Sequence, residues 1–205
     1  MTLTIAPLQS IPLIRQDDDL ADIILNSLQQ NNIELKDNDI LVLAQKIVSK
    51  AEGRMVDLKT VTPSQSAIDL AKQTEKDARL IELILQESNE VLRKRIGTII
   101  VEHKLGFICA NAGIDHSNVT LSIALSGAIA ETKLSEEYVL LLPQDPDQSS
   151  RKMRDQIESK TGKRIGVLII DSHGRAWRNG TVGVAIGVSG LPALEDLRGK
   201  PDLFG

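Results

Sequence analysis

Residues 165–170 read IGVLII, an apolar run with no polar face that breaks directly into the polar stretch DSHGRAWRNG at 171–180. A short run of this kind, rich in β-branched residues, fits a buried strand, so the polar stretch sits at a strand end. ILVLA at 40–44 likewise suggests a buried strand, and YVLLL at 138–142 is strand-like. Helical patterns alternate with them. Asp17, Asp18 and Asp19 are N-cap candidates for a helix with Leu20, Ile23, Ile24 and Leu28 on one face, ended by Asn31 and Asn32. Thr62-Pro63-Ser64-Gln65 reads as a capping box with proline at the first helical position. The helix it opens carries Ile68 and Ala71, and a second carries Leu80, Ile81, Ile84 and Leu85. Another helix starts near Gln148, turns Met153 and Ile157 inward and stops at Gly162.

The shorter pieces fill in the rest. TLTIA at 2–6 reads as a strand ended by Pro7, and Pro12 keeps IPLI extended. TIIVE at 98–102 and GFICA at 106–110 fit a hairpin, while the small apolar residues of 120–130 fit either strand or helix. VGVAIGV at 182–188 is a glycine-broken strand, and LPALEDLRG at 191–199 closes with a short helix. Strands and helices interleave without a repeat or low-complexity linker. The fold class is therefore α/β or mixed α+β, with mixed sheets flanked by helices in a single domain over residues 1–205.

Aromatic residues make up 2% of the chain (Phe107, Tyr138, Trp177 and Phe204), so Leu, Ile, Val and Ala must build the core. Few rings and a net charge of −4 argue against a nucleic-acid partner, which needs stacking platforms or a basic surface. The single cysteine, Cys109, excludes an internal disulfide and fits a reducing compartment. No secretion signal opens the chain and no apolar run approaches the ~20 residues of a membrane span, so the expectation is a soluble cytoplasmic protein.

Three polar segments at the ends of strand-like runs are candidates for chemistry. The first is Gln45-Lys46, continuing through Lys50 to Arg54. In a helix, Lys46 and Lys50 share a face and can hold phosphates, or they form a solvated basic face. The second is NAGIDHSN at 111–118. Asp115 offers a hard oxygen ligand for Mg²⁺ or Mn²⁺, and Asn118 both donates and accepts; the alternative is an Asx-rich turn with His116 at the surface. In the third, 171–180, Asp171 and Ser172 can hold a divalent cation, and Arg175 and Arg178 can offset phosphoryl charge. Asp171 as an ordinary cap is the other reading. There is no G-x-x-x-x-G-K-[ST] phosphate loop, no G-x-S-x-G and no zinc pattern.

Read together, seven segments resemble the coenzyme F-420 γ-glutamyl ligases, the CofE-like family. They are IPLI (11–14), QKIVSKAEGR (45–54), ICANAGIDHSNV (108–119), LLLPQDPDQS (140–149), IDSHGRAWRNG (170–180), VAIGVSG (184–190) and DLRGKPDLFG (196–205). They keep the family's order and cover nearly the whole chain. The resemblance implies a homodimeric ligase that uses GTP and Mg²⁺ or Mn²⁺, as a pair of ions, to add L-glutamate to a deazaflavin cofactor precursor. A carboxylate is a poor electrophile, and the implied activation is an acyl phosphate that the amine of glutamate displaces.

Carried over by motif, Asp115 and Asp171 are the metal ligands, with Ser172 as a hydroxyl ligand. Gln45, Lys46, Lys50, Asn118 and the segment Ile11, Pro12, Leu13, Ile14 contact GTP. Arg175 and Arg178 lie in the family's loop as candidate catalytic side chains. Two departures from the family stand out. The stretch 120–138 is longer than expected, and the family continues past the position of Gly205 with a segment that supplies a further acidic ligand. Two other readings accompany the ligase: a catalytically incomplete nucleotide-binding or dimer-forming relative, and a metal-dependent phosphohydrolase using Asp115 and Asp171.

Overall fold

The computed structural model describes residues 2–116, 120–125, 128–133, 137–173, 179–180 and 182–201. Helix α1 (Leu20–Gln30) starts at Asp19, whose side chain accepts from the Asp22 amide, and ends at Asn31 and left-handed Asn32. Strand β1 (Ile40–Ala44) leads without a break into α2 (Gln45–Ala51). Strand β2 (Met55–Asp57) and a single 3₁₀ turn precede two helices, α3 (Gln65–Thr74) and α4 (Ala78–Gln86). Then come β3 (Ser88–Arg95), β4 (Thr98–His103), β5 (Ile108–Ala110), β6 (Thr120–Leu125), β7 (Ala128–Lys133) and β8 (Tyr138–Leu140). The chain continues with α5 (Pro146–Thr161), β9 (Gly166–His173) and β10 (Val182–Ser189).

The described strands form four small sheets, ordered β1-β9-β10, β2-β8, β3-β4-β5 and β6-β7. β1 and β9 are parallel, from Ile40 opposite Gly166 to Ala44 opposite Ile170, while β10 runs antiparallel to β9. The fold is thus mixed α/β, as the interleaved pattern requires. Because side chains alternate along a strand, Leu43, Val167 and Ile169 share one face of this sheet. They are buried with Ile24 and Leu28 of α1 and with Met153 and Ile157 of α5. Ile40, Val42, Leu168, Ile170 and Val188 share the opposite face. Ile40 is 48% and Val42 56% exposed, and none of the five belongs to a buried cluster. A second core joins α3 and α4 to the β3-β4-β5 sheet through Ala67, Ile81, Ile84, Ile99 and Val101. A third, around Leu58, Leu83, Val139 and Leu141, adjoins the second through Leu80 and Ile114.

Several expectations are corrected. Residues 2–6 form no strand: they have no pairing partner among the described residues, and Leu3 and Ile5 are 85% and 84% exposed. β1 is an edge strand with only Leu43 buried, not a buried one. The N-cap of α3 is Ser64, accepting from the Ala67 amide, so Pro63 precedes the helix. The Ser64 amide donates to Glu82 of α4 at 2.8 Å, so the reciprocal half of the capping box comes from the next helix. Residues 191–199 are irregular, and Leu194, 92% exposed, has no core to dock against. Asp171, Ser172 and His173 lie inside β9, paired with β10, and not in the loop beyond it. The polar strand β3 was not legible in the sequence at all.

Candidate functional site

The parallel pair β1 and β9 sets the frame, since both strands run toward the same end and open α/β sheets bind ligands at their carboxyl ends. Ala44 is level with Ile170, so α2, which starts at Gln45, begins at the end of the sheet where Asp171 follows Ile170. Lys46 follows, and its ammonium lies 2.5 Å from an Asp115 carboxylate oxygen. Lys50, one turn on, is held below the ordinary lysine value by burial first and then by the charge of Lys46, against a smaller opposing pull from Asp115. Two cations and a carboxylate therefore share one small region, and a third segment enters beside it.

Asp115 reaches that position through a strained turn. Asn111 and Ala112 have left-handed backbones, φ 51° and 53°, and Gly113 follows at φ 65°. Left-handed non-glycine residues persist only where the surroundings hold them. Here the Asn111 side chain accepts from the Ile99 amide, and Ala112 is fully buried. A side chain at Gly113 would collide with Leu142 at 2.7 Å. The turn lays Asp115 against β8, where it exchanges both backbone hydrogen bonds with Leu140, at 2.9 and 2.8 Å.

Asp171 is tied to the same neighbourhood through Cys109. The thiol is fully buried, and its pKa is pushed up to about 12 by burial and then by the negative charge of Asp171, with the Gly113 amide pulling the other way. Strand alternation sends half-buried Asp171 toward the helix-covered face and exposed Ser172 toward the other, so Ser172 stands apart from the group. Gln45 is 2% exposed, and its carbonyl oxygen accepts from Ser49 at 2.9 Å. Ile14 is buried, and Pro12 and Leu13 face solvent. Just beyond them the Asp17 amide donates to the Ala51 carbonyl at the end of α2. His116 is exposed. Asn118, Arg175 and Arg178 lie outside the described residues.

Asp115 and Asp171 are hard oxygen donors that fit Mg²⁺ or Mn²⁺, and a cationic ammonium already rests on Asp115. Among the described residues no three His, Cys, Asp or Glu side chains gather as a metal-binding group. Among the described residues no helix is long and apolar enough to cross a membrane. Sequence reasoning missed Arg54 as a structural hub and Glu87 as its partner, at 2.7 Å, because no spacing links the two.

Comparison with known proteins places the chain in a family. A family described as F420-0:Gamma-glutamyl ligase matches residues 9–205. The chain is similar to Coenzyme F420:L-glutamate ligase of Methanothermobacter thermautotrophicus, at 40% identity over all of this chain and 75% of that protein. It is 44% identical to the protein of that name from Methanocaldococcus jannaschii, over 83% of this chain and 62% of the relative. The Methanopyrus kandleri protein of that name is 41% identical over the whole of this chain and 73% of its own length. This chain therefore spans roughly two thirds to three quarters of the length of these relatives. The chain belongs to the F420-0:gamma-glutamyl ligase family.

Proposed function

We propose that this protein is a GTP-dependent ligase that joins L-glutamate to the carboxylate of a deazaflavin cofactor precursor. The observation that carries the reading is the meeting of Lys46, Lys50 and Asp115 at the carboxyl end of the β1–β9 pair, with Asp171 alongside. Lys46 and Lys50 present adjacent ammonium groups suited to the phosphates of a nucleotide. The Asp17 amide bonds the end of α2 just beyond Ile11–Ile14, which supports that segment as a backbone contact to the same ligand. Asp115 and Asp171 are the side chains that would hold Mg²⁺ or Mn²⁺, which neutralises triphosphate charge when bound.

The reaction follows from the weakness of a carboxylate as an electrophile. A carboxylate oxygen of the acceptor attacks the γ-phosphorus, the bond to the β-phosphate oxygen breaks and GDP leaves. The amine of glutamate then attacks the acyl carbon, the carbon–oxygen bond to phosphate breaks, and the nitrogen gives up a proton as the amide forms. Attack comes from the substrate's own nitrogen, so no serine or cysteine nucleophile is needed. The buried, unionised thiol of Cys109 is consistent with that. Binding GTP beside Lys46 replaces the carboxylate of Asp115 as that ammonium's partner and frees Asp115 for a cation. We further propose a cytoplasmic protein and a homodimer, the latter supported by the exposed Ile40 and Val42 on the outer face of the β1-β9-β10 sheet.

Phosphate release from GTP with Mn²⁺ tests the reading. Release is expected only when both the deazaflavin acceptor and glutamate are present, and Asp171→Ala should lose Mn²⁺-dependent GTP binding. Steady release without glutamate would identify a phosphohydrolase instead, and unchanged binding by the variant would remove Asp171 from the site.

A further inference from the structure

Arg54 closes the turn after α2, and its side chain turns away from the two lysines. Its Nη2 donates to Glu87 at 2.7 Å and its Nε donates to the Leu142 carbonyl at 2.8 Å. Its backbone is bound as firmly. The Arg54 amide donates to the Ser49 carbonyl inside α2 at 2.9 Å, and its own carbonyl accepts from the Leu141 amide at 3.0 Å. Leu140, one residue earlier, is the one that exchanges both backbone hydrogen bonds with Asp115. These links form a closed circuit. It runs from Lys46 along α2 to Arg54, across to residues 140–142, over to Asp115, and back to Lys46 through the 2.5 Å ion pair.

From this circuit we infer that Arg54 is a positioning residue, setting the separation of the Lys46 helix from the Asp115 turn without touching the ligand. Its phosphate-site consequence rests on the reading given above; the circuit itself does not. A guanidinium suits the task because its planar fork serves two acceptors in different directions, where an ammonium has no fixed fork. Both acceptors are screened from solvent: Glu87 is 18% exposed and lies 4.0 Å from the buried ring of His103. With the guanidinium removed, the Leu142 carbonyl loses its side-chain donor and Glu87 its cation, and residues 140–142 stay tied to the end of α2 only through backbone bonds and the β2–β8 pairing, which permit a small shift. Such a shift opens the Lys46–Asp115 contact at the far side of the circuit.

The test uses the full chain as wild type, Arg54→Met, Arg54→Lys and Leu70→Ala. The last removes apolar volume from the core between α3, α4 and the β3-β4-β5 sheet and serves as a control for lost stability alone. Each is measured for melting temperature, for acylation of Lys46 relative to exposed Lys152 by an amine reagent, and for affinity toward Mn²⁺-GTP. Arg54→Met is expected to raise the Lys46 acylation ratio about tenfold and to weaken GTP binding by about the same factor. Arg54→Lys should fall between it and wild type, and it carries the test if Arg54→Met does not fold. Leu70→Ala should change neither ratio nor affinity. A wild-type acylation ratio in the Arg54 variants, or an equal rise in Leu70→Ala, overturns the inference. Absence of GTP binding in the wild type would sink the proposed function, and the acylation ratio would still decide the role of Arg54.

Discussion

His103 is 2% exposed, and its Nδ1 accepts from the Leu105 amide at 3.0 Å, so the neutral ring carries its proton on Nε2. That atom has no hydrogen-bond partner among the described residues, and the ring stacks on Phe107 at 5.1 Å. Burial, then the charges of Arg54 and Lys104, lower its pKa from 6.5 to about 4. The folded state therefore binds this proton less readily than the unfolded chain. The stability this provides is complete above the unfolded value and is lost as pH falls from there through the folded value. The expected loss between pH 7 and pH 4 is about 3 kcal/mol at most, on top of whatever other groups contribute. Urea unfolding at several pH values, compared with His103→Gln, checks it. Equal pH slopes for the two proteins would remove His103 as the source.

At the level of elements, β10 shows how tightly a strand can be set by what lies over it. Its register shifts between Ala185 and Gly187, and a side chain at Gly187 would come within 2.3 Å of the Pro146 carbonyl at the start of α5. One residue on, the Val188 amide donates to Asp147 at 2.8 Å, tying the strand to the same helix turn. Gly187→Ala should cost about 2–3 kcal/mol by forcing backbone apart, while Gly183→Ala, with open space beside it, should cost under about 0.5 kcal/mol. Midpoints of urea unfolding measure both, and equal midpoints would show that the contact relaxes freely. Helices were legible in the sequence because apolar stripes are local, and Asp19 caps α1 as its position suggests, whereas Asp77 and Asp145, which cap α4 and α5, were not singled out. Strand β3, SNEVLRKR, was not, because its pairing with β4 comes from tertiary contact and its side chains are mostly solvated. The same division holds for the site. Lys46 and Asp115 were each visible as candidates from residue type and surroundings. Their ion pair depends on a left-handed turn at Asn111 and Ala112 and on the Arg54 circuit, neither of which has a signature in spacing.

For the molecule as a whole, the outer face of the β1-β9-β10 sheet departs from an apolar-in, polar-out surface. A partly parallel sheet ordinarily has both faces covered, and here Ile40 and Val42 on the outer face are 48% and 56% exposed, while Leu191 packs only over the end at Gly166. If a second copy covers it, as the proposed homodimer requires, Val42→Lys should give monomers in sedimentation while the parent chain sediments as a dimer. A parent chain that stays monomeric at tens of micromolar would rule that assembly out.

The buried thiol of Cys109 has a practical corollary. With its proton held until about pH 12, it presents essentially no nucleophile to solvent near neutrality. Alkylation must wait for the strand carrying it to come away from its neighbours. A sulfur placed there behaves as a built-in clock, whose ticking counts how often the hairpin breathes.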